Sequence, residues 1–328
     1  MGRGRQRKAR ITSIFAIVYI TYIMRHKPLR FKSGCRRQAK LVGGTRIFQL
    51  YLSNCYLSMI FNLLVIESRL WQNFKPSIKM NDITPAIEII GFKKRYGDYM
   101  AVKGLDLTIS QGTFFGFVGP NGAGKSTTIN AMVGLIKPSG GTIKIAGYDV
   151  TKEPLNVKAR VGFMAEETIL YERLTGREYL EFVGMMYGMS RKNAIERRES
   201  LLGLLDLDGN KFMGSFSLGM KKKIALASAL IHNPPIVILD EPFSGIDATT
   251  GSRIRKVLGE MVSQGHTVFF SSHVLETVEK ISSKIGVIDK GRLLAIGSLP
   301  EIREKAGCDP NASLEEVFLK LVESKPGE

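Results

Sequence analysis

The stretch Gly119-Pro-Asn-Gly-Ala-Gly-Lys-Ser-Thr127 constrains the fold of this chain more than any other. It follows an apolar, strand-like run, Thr113–Val118, and leads into a helix-forming run, Lys125–Leu135. Gly119, Gly124, Lys125 and Ser126 fill the pattern G-x-x-x-x-G-K-[ST], in which a glycine-rich turn joins a strand to a helix. A phosphate group needs many N–H donors at close range and a counter-charge. A helix N-terminus supplies the donors together with the positive end of its dipole. Gly122 and Gly124 let the backbone approach without a Cβ in the way. The Lys125 ammonium suits the terminal phosphates of a nucleotide, and the Ser126 hydroxyl suits magnesium.

From residue 86 onward strands and helices alternate, which points to an α/β fold around a largely parallel sheet. Strand-like pieces are expected at Ala86–Phe92, Thr142–Ile145, Val161–Met164, Ile236–Leu239, His266–Ser271 and Lys284–Asp289. Helices are expected at Thr249–Ser263 and Val274–Ile281. Residues from about 168 to 216 turn strongly helical, clearest at Arg177–Tyr187 and Arg191–Leu205, so a helical lobe interrupts the sheet. The strand Ile236–Leu239 ends in Asp240 and Glu241, at the carboxyl edge where open α/β sheets bind ligands. A hard cation beside phosphates takes one or two carboxylates, a role that suits Asp240. Glu241 is then placed as a general base toward an attacking water.

Taken together, residues 86–320 resemble the ATP-binding subunits of ABC transporters, and the motifs in that order are highly specific. The resemblance implies an α/β phosphate-loop ATPase core with a mostly parallel sheet, an N-terminal antiparallel β part and the inserted helical lobe. It implies ATP bound by Gly119, Pro120, Asn121, Gly122, Ala123, Gly124, Lys125, Ser126 and Thr127, with Tyr96 stacking on adenine. Ser217 and Gly219 occupy the family's signature, which binds the γ-phosphate of ATP held by the opposite subunit, at the start of an expected helix Met220–Leu230. Ser244-Gly-Ile-Asp247 matches the loop that crosses the dimer interface. His273 stands where the family places its switch histidine, beside the catalytic Glu241. Mg2+ would be held by Ser126, Asp240 and Glu166.

Two departures from the family pattern matter. The signature L-S-G-G-Q is Phe216-Ser-Leu-Gly-Met220 here, a variant similar to that of drug, antibiotic and polysaccharide exporters whose membrane subunits are separate chains. The usual Q-loop glutamine is Glu166, or Glu167 if the alignment slips by one. Lys221-Lys-Lys223 reads as a solvated face of the signature helix, with assistance to phosphate binding as the other reading. The tail Leu314–Val322 has apolar residues at helical spacing and resembles the closing helix of exporter-type subunits.

Charge separates the chain into unlike parts. Residues 1–79 hold 16 Lys and Arg against a single acid, Glu67, so nearly all of the +17 net charge lies there. A nucleic-acid binder should carry its basic stripe on the folded domain, so no nucleic-acid partner is expected. Within this segment Ile11–Met24 is too short to span a bilayer, which takes roughly 20 residues. Ile47–Ile66 has the length but is interrupted by Gln49, Ser53, Asn54, Ser58 and Asn62. The preferred reading is an extension upstream of a natural start at Met80; a membrane-associating tail and a transit peptide are the alternatives. Cys35, Cys55 and Cys308 are scattered without C-x-x-C spacing, which argues for a reducing compartment over a disulfide framework.

The expected arrangement is therefore a segment 1–79 of doubtful authenticity and an ATPase domain 80–328, with a closing segment from about 290. Two copies, or this chain and a paired ATPase subunit, would enclose two ATP and drive a separate transmembrane permease from the cytoplasmic face of the cell membrane, for export. A soluble ATPase acting on nucleic acid or ribosomes is the rival. Its relatives need a long coiled coil or a second nucleotide domain, and the sequence has a single phosphate loop.

Overall fold

A computed structural model of the chain describes residues 84–167 and 170–323. The expectations for residues 1–79, and for a start at Met80, lie outside the described residues.

Two sheets form the frame. The first is antiparallel, in the order β2-β1-β4-β5, with β1 Ile87–Tyr96, β2 Tyr99–Ile109, β4 Gly140–Ile145 and β5 Tyr148–Asp149. The second follows the order β10-β9-β3-β8-β7-β6 and comprises β3 Phe114–Val118, β6 Val161–Met164, β7 Ile236–Leu239, β8 Thr267–Ser272, β9 Lys284–Asp289 and β10 Arg292–Gly297. It is parallel except where β10 pairs antiparallel to β9.

The parallel strands have apolar centres because both of their faces are covered. Along β3, Phe115 and Phe117 face the antiparallel sheet, where Phe115 stacks on Phe269 of β8 at 5.5 Å. Phe114 and Val118 point the other way, into a core shared with the helices. Those helices are α3 Gly176–Met186, α4 Arg191–Leu205, α5 Leu218–Leu230, α6 Ala248–Ser263, α7 Leu275–Ile281, α8 Leu299–Lys305 and α9 Leu314–Glu323. The short α1 Lys125–Met132 and α2 Pro154–Lys158 contribute instead to the core between the two sheets.

The inserted lobe is α3 and α4. Thr175 caps α3 through a reciprocal capping box with Glu178, and Ser190 caps α4 through the Asn193 amide. Arg177 of α3 grips Glu199 of α4 through two guanidinium nitrogens, and Glu181 receives Arg191 and Arg198.

Register decides where the chemistry can sit. Val118 pairs with Ser272 and Val287, and Leu239 with Phe270 and Met164. The carboxyl ends of β3, β6, β7 and β8 therefore finish at one edge, and the chain leaves them at Gly119, Ala165, Asp240 and His273.

Candidate functional site

The phosphate loop leaves β3 at Gly119 and enters α1 at Lys125. Gly124 caps the helix at φ +106°, a conformation open to glycine and strained for L side chains. Gly119 is required by contact rather than by dihedral: a Cβ there would lie 2.1 Å from the Ile288 carbonyl oxygen of β9. The loop is thus clamped against the neighbouring strand.

Lys125 is 5% exposed. Its Nζ donates to the carbonyls of Gly119 at 2.7 Å and Pro120 at 3.2 Å, and lies 3.8 Å from Glu241 Oε1. Burial pulls its pKa below the usual lysine value, while the carboxylates of Glu241, Asp240 and Glu166 oppose that fall. Phosphate oxygens would meet the same ammonium. Ser126 and Thr127 lie in the first turn of α1, partly exposed.

Asp240 and Glu241 follow β7 and are both buried. Ser271 of β8 joins them: its hydroxyl donates to Asp240 Oδ1 at 2.5 Å and accepts the Glu241 amide at 3.0 Å. Glu241 has φ +48°, a left-handed conformation outside glycine, and its carboxylate Oε1 stands 3.0 Å from His273 Nδ1. One carboxylate therefore touches both the phosphate-loop lysine and the histidine after β8. Asp240 offers a second hard oxygen, since Ser271 occupies only Oδ1 among the described residues. A buried carboxylate and the α1 hydroxyl of Ser126 at one sheet edge are the donor types a magnesium–nucleotide complex takes.

The remaining expected residues lie around this centre. Tyr96 ends β1, about half exposed, with Lys94 Nζ 4.9 Å above its ring. Its hairpin partner strand β2 abuts the phosphate loop, for a Cβ on Gly124 would come within 3.0 Å of the Ala101 carbonyl oxygen. Glu166 follows β6 with its side chain exposed. Ser217 caps α5 by accepting the Met220 amide at 3.3 Å, so the signature does open a helix, two residues earlier than expected. Gly219 packs against Thr250, whose hydroxyl and amide both bond to Asp247, the cap of α6. The signature and the Ser244–Asp247 loop are thereby neighbours within one chain.

Sequence reasoning missed two members of the site. Lys222, expected on a solvated face, is 4% exposed. Its Nζ donates to the carbonyls of Glu166 and Glu241, each at 3.0 Å. Helical spacing does not single Lys222 out from Lys221 and Lys223, because Ile224, Ala225, Leu226 and Ala227 are buried in succession around α5. Ser271 was noticed only as part of the run before His273; its hydroxyl contacts depend on the β7–β8 register, which spacing alone does not reveal.

Residues 102–244 match the ABC transporter family. The linearmycin resistance ATP-binding protein LnrL of Bacillus subtilis is 38% identical over 240 residues, 71% of this chain and 77% of that protein. This chain belongs to the ABC transporter ATP-binding family. The daunorubicin resistance ATP-binding protein DrrA3 of Streptomyces coeruleorubidus is 36% identical over 226 residues, 68% of this chain and 72% of that protein. Among solved structures, an ATP-binding subunit of an ABC transporter superposes with a TM-score of 0.68 at 31% identity, covering 72% of this chain and 99% of that one. A dimeric ATP-binding cassette in a post-hydrolysis state, bound to ADP and phosphate, gives 0.61 at 26% identity, covering 65% and 98%. The present chain is accordingly an ATP-binding and ATP-hydrolysing subunit of a transporter. Among the described residues no helix is long and apolar enough to cross a membrane.

Proposed function

We propose that this ATPase subunit drives export through a separate multi-spanning membrane protein, with hydrolysis carried by Glu241 and His273. The observation that carries the chemical part is the Glu241 carboxylate, held between Lys125 and His273 at the carboxyl edge of the sheet. A water lying against the terminal phosphate could lose its proton to Glu241, with His273 holding the carboxylate or the phosphate. Ser126, Asp240 and Glu166 are the ligands proposed for Mg2+, whose role is to neutralise charge on the phosphate oxygens. Tyr96 is proposed as the adenine platform.

Ser217 and Gly219 are proposed to close on ATP held by the phosphate loop of the paired subunit. Their contact with the Asp247 cap supports this reading, because it joins the signature to the loop expected at the dimer interface. Closure and reopening would move the α3–α4 lobe against the membrane partner. Export is supported by the resistance proteins among the relatives and by the Phe216-Ser-Leu-Gly-Met220 form of the signature.

The test is a mild-detergent pull-down from native membranes through a C-terminal tag, with co-purifying proteins identified by mass spectrometry. A multi-spanning membrane protein in equimolar amount is the expected result. Recovery of ribosomes or nucleic acid without such a protein would overturn the transporter assignment.

A further inference from the structure

Lys222 is a buried ammonium without a carboxylate ion-pair partner among the described residues. Its contacts are two peptide oxygens, one from the loop after β6 and one from Glu241, the second residue after β7. The nearby Glu166, Glu241 and Asp240 carboxylates favour its charge, but burial is the larger influence and draws its pKa down. A methionine would complete the apolar face of α5 without desolvating a charge, so stability alone does not explain a lysine here.

Its position explains it better. Glu241 adopts φ +48°, and a non-glycine residue in that region persists only where its surroundings over-determine it. The surroundings here are three hydrogen bonds, one at the N–H end of the residue and two at its carbonyl. Ser271 Oγ accepts the Glu241 N–H, while Lys222 Nζ at 3.0 Å and the Ser244 N–H at 3.3 Å both donate to the Glu241 carbonyl. With both ends pinned, the side chain is aimed at Lys125 and His273. Without Lys222 the carbonyl would keep only the longer, neutral Ser244 donation. The peptide would then be freer to relax toward an ordinary conformation and carry the carboxylate out of the geometry in which it meets the water. The same ammonium holds the Glu166 carbonyl, so a displacement of that loop is felt at Glu241.

We propose that Lys222 is a positioning residue for ATP hydrolysis, fixing the left-handed Glu241 peptide and tying it to the Glu166 loop. The inference rests on Glu241 carrying hydrolysis, as proposed above.

The experiment compares ATP turnover and nucleotide affinity of the full chain in wild type, Lys222→Met, Lys222→Arg, Glu241→Gln and the Lys222→Met/Glu241→Gln double variant. Lys222→Met should lower kcat by about tenfold or more while KM for ATP and the Kd for ADP stay within about twofold, the pattern of a lost transition-state geometry. Lys222→Arg, which keeps a donor at the end of a long side chain, should recover most of that loss. In the Glu241→Gln background Lys222→Met should change the residual rate by less than about twofold, because the residue through which it acts is already disabled. A purely structural lysine would instead move affinity and rate together and multiply with Glu241→Gln. If Lys222→Met does not yield folded protein, Lys222→Gln, a shorter neutral donor, is read in its place. A stalled Glu241→Gln beside a Lys222→Met with wild-type kcat would overturn this inference alone; a Glu241→Gln with wild-type turnover would overturn the general-base reading as well.

Discussion

His232, just beyond α5, provides a quantitative test of how the lobe joins the core. Its ring stacks on Tyr187, at the end of α3, with centroids 3.6 Å apart and planes 4° from parallel. Both ring nitrogens are buried without a hydrogen-bond partner among the described residues. Burial pulls the imidazole pKa from 6.5 to about 4; the Val161 backbone opposes this fall, and the Arg197 guanidinium adds to it by a smaller amount. Tyr187, likewise buried, stays a neutral phenol, its pKa pushed up to about 12. The unfolded chain therefore takes up a proton at His232 at a higher pH than the folded chain does. Stability contributed by the neutral ring is fully present above the unfolded value and is lost as pH falls through the window between 6.5 and about 4. At about pH 5 the loss is about 2 kcal/mol, rising to about 3 kcal/mol below the folded pKa. His232→Phe keeps a flat ring on Tyr187 but cannot take the proton. Urea unfolding of the two proteins, followed by circular dichroism at about pH 7.5 and about pH 5, should show wild type losing about 2 kcal/mol more than the variant. Equal losses would mean that the histidine titrates normally in the folded state, and the reasoning from burial would fail.

Two substitutions in the phosphate loop separate packing from charge. Gly119→Ala places a methyl group 2.1 Å from the Ile288 carbonyl oxygen, so the loop must shift off β9. The expected result is a destabilisation of about 1–3 kcal/mol together with lost nucleotide binding, read by thermal unfolding and a fluorescent nucleotide titration. Lys125→Ala should weaken ATP binding roughly ten- to hundredfold, since a charge-assisted contact is worth about 1.5–3 kcal/mol. Unchanged affinity in that titration would remove Lys125 from the phosphate site.

How far the sequence alone reached depended on where each element hides its side chains. Strands β6 and β7 were legible to the residue because they are uninterrupted apolar runs between turns, and β9 because its buried centre Ile285–Ile288 is bounded by Lys284 and Asp289. Strand β2 was not separately recognised. Lys103 and Gly104 break its alternation, and its pairing with β1 carries bulges that no simple period describes. Helix α1 was expected to reach Leu135 but ends at Met132, because the amides of Leu135 and Ile136 both turn back to the Asn130 carbonyl. The motif residues were legible because phosphate chemistry restricts their types. Lys222 was not, since three consecutive lysines look alike in sequence and differ only once the helix is seated on the sheet. Ser271 reaches its two partners across strands, and only register brings them together.

The central claim is that Glu241 carries hydrolysis while the surrounding loop binds ATP. Glu241→Gln keeps the shape of the site and removes the base. Purified and mixed with ATP and magnesium, this variant should turn over ATP at less than about one-hundredth of the wild-type rate and run as a dimer on size-exclusion chromatography with light scattering, with ATP trapped between its subunits. Turnover at the wild-type rate, or a variant that stays monomeric with no retained nucleotide, would contradict the account.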